Sequence, residues 1–107
     1  MKTLKFAPNL VPLILSGEKT KTWRLYDDKD LQNGDELIFI NKETGEEFAK
    51  VKITSLVTKT LDQVTSDDYD GHERYSSQDE MLDTFRKFYG DKVSLDTEVK
   101  ILNFERV

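Results

Sequence analysis

Apolar and polar positions alternate along some stretches of this chain and recur every three or four residues along others. These two periods divide it into elements. Thr3 to Ala7 alternates and predicts a short strand, which Pro8-Asn9 ends. The aliphatic run Leu10 to Ser16 predicts a short helix, with Asn9 as N-cap, Pro12 in the first turn and Gly17 as its stop. Lys19 to Arg24, mostly Thr, Trp and long straight side chains, reads as a second strand. A polar loop over 27–30 and a turn at Gln32-Asn33-Gly34-Asp35 follow. Glu36 to Asn41 is a brief apolar run and a well-buried strand, and Lys42 to Glu46 is a hairpin loop. From Phe48 to Val57 the alternation is long. Phe48, Lys50, Lys52 and Thr54 share one face, and Ala49, Val51, Ile53 and Ser55 share the other.

Thr60 to Val64 predicts a turn or a single helical turn, and Thr65 to Ser76, poor in aliphatics, a loop. Ser77-Gln78-Asp79-Glu80 has the form of a capping box. Behind it Met81, Leu82, Phe85, Phe88 and Tyr89 fall at helical spacing as a core-facing stripe, and Gly90 ends the helix. Asp96 to Phe104 closes the chain as a strand. About five strands with two helices make an α+β domain or a partly open barrel.

Composition narrows this. With 107 residues, 36% hydrophobic and 35% charged, the chain suits one domain with a lean core. No run approaches the roughly 18 apolar residues of a membrane span. The start, Met1 to Lys5, has no signal-peptide core. The expectation is a cytoplasmic protein with no membrane partner. There is no cysteine, which excludes disulfides and Cys-based zinc sites, and one His makes a poor catalytic zinc site. The acidic run Asp68-Tyr69-Asp70-Gly71 does not make a calcium loop, because Ser66 and Ser77 stand where the end ligands would be. No metal and no cofactor is expected. Nothing in the pattern fixes an oligomeric state.

A net charge of −5 argues against coating duplex DNA. The charge is nevertheless uneven. Residues 1–24 hold Lys2, Lys5, Lys19, Lys21 and Arg24 against Glu18 alone. Residues 61–85 hold Asp62, Asp67, Asp68, Asp70, Glu73, Asp79, Glu80 and Asp83 against Arg74. A bipolar domain suits one nucleotide or a short strand on its basic side. It is equally an acidic domain whose charges segregate.

The densest chemistry lies in Gly17 to Arg24, with three cations, two threonines and the only Trp. Cations beside hydroxyls and an indole suit a ligand with negative charge or a flat ring, although lysines also keep an edge strand soluble. Lys21 and Arg24 are candidate ligand contacts. Arg24 offers a planar fork to a carboxylate or phosphate, or pairs with Asp27 or Asp28. Trp23 and Tyr26 can stack on a base or cover the barrel. His72 reads as a solvent-facing loop residue. On a regular strand Lys19, Lys21 and Trp23 point one way and Thr20, Thr22 and Arg24 the other. Lys19 and Thr22 meet only if the strand bulges or if Lys19 lies in the loop before it.

Gly17-x-Lys19-x-x-Thr22-x-Arg24 behind a short aliphatic helix resembles the signature of the ASCH domain family, within the PUA-like superfamily. The segment Gly71-His72-Glu73 to Ser77-x-x-Glu80-Met81-Leu82, then Phe88-Tyr89-Gly90 and the strand Val99 to Phe104, resembles the family's second half. The resemblance spans nearly the whole chain. It implies a single ASCH domain over residues 1–107, a small PUA-like β-barrel of about five to six strands with two main helices. It also implies a cleft beside the motif strand that binds RNA or a modified nucleobase. Some small bacterial members are amidohydrolases of N4-acetylcytidine. Their catalytic Lys, Thr and Glu fall on Lys19, Thr22 and Glu73, the last through an ungapped match from the Ser77 helix start. Another member is a nuclease, so a non-catalytic RNA-binding module and a ribonuclease stand as alternatives.

Amide hydrolysis needs a nucleophile, a base and an acid for the leaving amine. Thr22 would be the nucleophile and needs a base beside it. Lys19 would be that base once neutral, which requires its pKa to fall from about 10.4 toward about 7–8. Lys21 and Arg24 push that way. A close Glu73 pushes back, and it would hold Lys19 or carry the proton to nitrogen.

Overall fold

The computed structural model describes residues 1–107 as one curled five-stranded sheet, a half-barrel, with two helices. The strands are β1 (Lys2–Phe6), β2 (Lys21–Leu25), β3 (Glu36–Asn41), β4 (Glu47–Thr60) and β5 (Glu98–Arg106). The helices are α1 (Val11–Ser16) and α2 (Gln78–Tyr89). No helix is long and apolar enough to cross a membrane. In space the strands run β1-β3-β4-β5-β2, and β1 pairs with β3 in parallel while every other neighbour is antiparallel. β4 is the axis. Glu47 to Lys52 pairs with β3 and Val51 to Thr60 with β5, and the β5 pairing carries a register shift between Ile53 and Ser55, an irregularity of the kind that bends a strand.

Both faces of the sheet are buried. Leu4, Phe6, Leu37, Phe39, Val51, Ile53, Leu102 and Phe104 pack with Ile14 of α1 on one side. Trp23, Leu25, Val99 and Ile101 pack under Met81, Leu82 and Phe85 of α2 on the other. The period-two reading of β4 holds at its centre, where Val51 and Ile53 are buried and Lys50, Lys52 and Thr54 are exposed. Phe48 departs from it and packs against the first core.

Two caps differ from expectation. Asn9 does not cap α1. Pro8–Leu10 forms a 3-10 turn, and the helix begins at Val11 with Leu10 as its N-cap and no side-chain cap. Pro12 fits only a first helical turn, so the start is drawn up to it. At α2 half of the capping box forms. Ser77 Oγ accepts from the Glu80 N–H at 3.1 Å, while the Glu80 carboxylate turns to the Ser76 N–H and hydroxyl. Within the α2 stripe, Met81, Leu82 and Phe85 are buried, Tyr89 is half-buried, and Phe88 is 61% exposed instead of in the core.

Two glycines set the approach to the motif. Gly17 ends α1 in the left-handed region (φ 86), its N–H donating to Ile14 O. The turn brings the Lys19 N–H back to Leu13 O at 3.0 Å. Gly71 carries the loop before α2 against β2, its carbonyl accepting from Thr20 N–H at 2.8 Å and Lys21 N–H at 3.0 Å. Its φ is +79, and a Cβ there would lie 2.0 Å from Thr20 Oγ1 and 3.3 Å from Thr20 Cβ.

Gly45 has a similar φ of +76 but open space around it. Gly45→Ala is expected to cost about 1 kcal/mol, the left-handed penalty alone. Gly71→Ala is expected to cost about 2 kcal/mol or more, because the collision with Thr20 adds to it. Urea midpoints at unchanged m-value measure both. Equal losses would mean that the close approach of the loop to Thr20 contributes nothing.

Candidate functional site

The sheet's edge strands, β1 and β2, are not paired with each other, and a pocket of about 270 Å³ opens where the barrel fails to close. β1 and the turn after it bring Lys5, Phe6 and Ala7 to its wall; β2 brings Thr22, Trp23 and Arg24. Lys19 enters from the turn before β2, and His72, Glu73 and Tyr75 from the loop clipped to that turn. α2 supplies Phe85, Phe88 and Tyr89.

Lys19 thus lies outside the regular strand, which removes the parity conflict with Thr22. Both residues are 4% exposed and border the same pocket. Lys19 Nζ is 2.5 Å from Glu73 Oε2, with side-chain exposures of 3% and 35%. Burial pushes the Lys19 ammonium below the ordinary lysine range, Glu73 opposes this, and the Arg24 charge adds to the fall. Burial alone would raise the Glu73 carboxyl, but Lys19 outweighs it and holds Glu73 below its usual value.

Arg24 shares the Thr22 face of β2. Its Nε donates to Thr22 Oγ1 at 3.3 Å, and its Nη2 donates to Lys5 O at 3.1 Å across the seam. The guanidinium lies 4.6 Å from the Phe6 ring centroid. No carboxylate pairs with it. The expected partner Asp27 goes instead to Lys100 Nζ, at 2.7 Å, and to the backbone of Lys29 and Leu31. Tyr26, with φ 50, turns the chain just before it.

His72 is not solvent-facing. Its side chain is 5% exposed and stacks on Trp23, with ring centroids 4.4 Å apart and 17° between planes. Its Nδ1 donates to the Glu73 carbonyl at 2.8 Å, which fixes the neutral tautomer with Nε2 unprotonated. Burial first, then the Lys19 cation, pushes its pKa down to about 4, against Glu73. Phe85 lies parallel to the Trp23 indole at 6.2 Å, and the indole N–H donates to Asp68 O. With these neighbours Trp23 is a packing plate behind the pocket and has little ring left for a base.

Lys21 and Tyr26 do not border the pocket. Lys21 Nζ donates to Asp67 O, and Tyr26 sits over Thr97 and Tyr89 with Lys92 above its ring. Sequence reasoning missed Lys5, Lys42 and Phe88, which come from distant elements and carry no local signal. Nowhere do three His, Asp or Glu side chains converge as a metal would need.

No protein-family profile and no curated protein matches the chain. Solved structures do. An ASCH domain from Lactobacillus crispatus superposes with a TM-score of 0.70 at 21% identity, over 92% of this chain and 70% of that one. An ASCH protein from Zymomonas mobilis gives 0.67 at 10% identity, over 96% and 65%. A Pyrococcus furiosus protein solved in solution gives 0.66 at 20% identity, over 99% and 96%. The fold is that of the ASCH domains.

His72 is the chain's only histidine, so its ring resonances are unambiguous. Facing Lys19, Lys21 and Glu73, it is expected to titrate near pH 4 by NMR; a midpoint near 6.5 would contradict the buried stack. The unfolded chain takes a proton near pH 6.5 and the folded one only near 4. Stability should therefore fall as pH drops through that window, by up to about 3 kcal/mol from this group. His72→Phe should flatten that part of the profile.

Proposed function

We propose that the protein hydrolyses the amide of an N4-acylated cytosine nucleoside, of which N4-acetylcytidine is the simplest. The observation that carries this is the buried Lys19–Glu73 pair opening onto the same pocket as the Thr22 hydroxyl. A lysine in a cleft, with its pKa lowered by burial and a carboxylate in hydrogen-bond contact, is suited to moving a proton. The likeness of Lys19, Thr22 and Glu73 to the residues of ASCH amidohydrolases supplies the substrate.

The steps follow from the three groups. Lys19 passes a proton to Glu73 along their hydrogen bond and becomes an amine. It takes the Thr22 hydroxyl proton as Oγ1 attacks the acyl carbon. The carbon–N4 bond breaks, N4 takes the proton from Glu73, and the cytosine leaves with its free amine. A water then attacks the acyl ester on Thr22, giving its proton to the same relay, and Thr22 recovers its hydrogen as the carboxylic acid departs. Arg24, bonded to Thr22 Oγ1, stabilises negative charge developing on that oxygen. Of the alternatives, an RNA-binding module would place a strand along a basic groove. A pocket of about 270 Å³ in a chain of net charge −5 favours a small ligand instead.

Groups acting as a unit do not add. Lys19→Ala, Thr22→Ala and the double variant are each expected to fall about 10²-fold or more, to a similar residual rate. Thr22→Ser should keep part of the activity and Thr22→Val none. Cytidine release followed by chromatography measures all of them. Wild-type protein that releases none would end the amidase reading. Full turnover by Thr22→Val would assign the attack to a water activated by Lys19.

A further inference from the structure

The pocket's charge is unbalanced. Glu73 is the only carboxylate on its wall, and Lys19 occupies it. That leaves Lys5, Arg24 and Lys42 on the wall with no ion pair anywhere. The three are linked in a row. Arg24 bonds Thr22 on one side and the Lys5 carbonyl on the other, and Lys42 N–H donates to the next carbonyl of β1, Phe6 O, at 2.9 Å. Like charges so placed repel one another, and a chain with 21 acidic residues has carboxylates enough to pair them. Lys5, on the edge strand β1, and Lys42, in the turn after β3, are exposed and read equally well as solubilising surface charge. Arg24 does not. It is half-buried against Phe6 and beside Tyr89, and no carboxylate pairs with it. Its planar fork is shaped for an oxyanion.

We infer that the ligand of this pocket carries a phosphate, held by Arg24 with Lys5 and Lys42, so that the substrate is a nucleoside monophosphate in preference to the neutral nucleoside. This rests on the reading of the site as a cytosine-nucleoside pocket and adds the anionic group. The volume of about 270 Å³ lies just below the ~300–1,000 Å³ of small-molecule sites and suits one nucleotide, not a strand of them. Phe88, exposed at the pocket with Lys42 Nζ 5.4 Å from its ring centroid, offers an apolar face beside the cations.

The test is calorimetric titration with ligands that carry no acyl group and so report binding without turnover. These are cytidine, its 5′- and 3′-monophosphates, inorganic phosphate and a short oligocytidylate, each at low and high salt. A monophosphate is expected to bind about tenfold or more tighter than cytidine at low salt, because charge-assisted bonds are added. The margin should shrink in Arg24→Gln and in the Lys5→Gln/Lys42→Gln double variant, and inorganic phosphate should compete with the monophosphate. Should Arg24→Gln fail to fold, the double variant carries the test, since both lysines are exposed. Equal affinity for cytidine and its monophosphates would overturn the inference. So would a margin that survives in the variants, no binding of any cytidine ligand, or tighter binding of the oligonucleotide than of either monophosphate. Hydrolysis of N4-acetylcytidine without a phosphate preference would keep the amidase and remove this inference. A phosphate preference without hydrolysis would do the reverse.

Discussion

An ammonium group buried to 3% exposure is tolerated only with a counter-charge at bonding distance, because the loss of hydration costs several kcal/mol. Lys19 meets its partner 54 residues further along the chain, and much of the local architecture holds that meeting in place. The left-handed turn at Gly17 returns the Lys19 backbone to α1. The carbonyl of Gly71 accepts the next two backbone N–H groups, so the carboxylate loop is bonded to the lysine's own segment. Two residues after Gly71, Glu73 has little freedom to be elsewhere. His72 between them is held by its stack on Trp23 and its bond to the Glu73 carbonyl. Removing any of these supports endangers the pair, because an unpaired buried lysine would have to neutralise or leave the site.

The pocket exists because the sheet does not close. Two free edges are ordinarily a liability, open to pairing with other chains. Here they face each other across a gap occupied by side chains. Arg24 lies over Phe6 and satisfies the Lys5 carbonyl of the opposite edge. The Thr20 and Lys21 N–H groups bond Gly71 instead of another strand. The same devices that protect the edges therefore line the cavity, and the hydroxyl-bearing Thr22 stands at the seam.

Local pattern carried most of the elements. A short apolar run marked β3 at its observed ends, alternation marked β4 at its core, and Gly17 and Gly90 marked the ends of the two helices. Neighbour choice was not legible, since a period of two says nothing of partners, and the parallel pairing of β1 with β3 has no trace in either strand. At the site, Lys19, Thr22, Arg24 and Glu73 could be named from the motif and its resemblance. Their convergence could not, because it depends on Gly71 meeting Thr20. His72 and Phe88 were placed wrongly for a common reason. A polar residue in a charged loop reads as solvated and an aromatic at helical spacing reads as core, yet the indole of Trp23 draws the first inside and the open seam leaves the second outside.

The separation of charge between residues 1–24 and 61–85 looks in sequence like two faces of a bipolar domain. In the folded chain these segments lie against each other. Lys19 pairs with Glu73, Lys21 and Trp23 donate to the carbonyls of Asp67 and Asp68, and Asp68 in turn takes Lys59. Part of the segregated charge, Lys19, Lys21 and Glu73, therefore fastens the loop to the motif strand and is spent inside the protein. Asp68, Asp70 and Glu73 of that loop pair with Lys59, Arg74 and Lys19, while Arg24 and Lys5 stand toward the β1 side of the seam with no ion pair to any of them. The positive character of the pocket is thus a remainder, set by where the loop docks, and it is larger at the site than the net charge of the chain suggests.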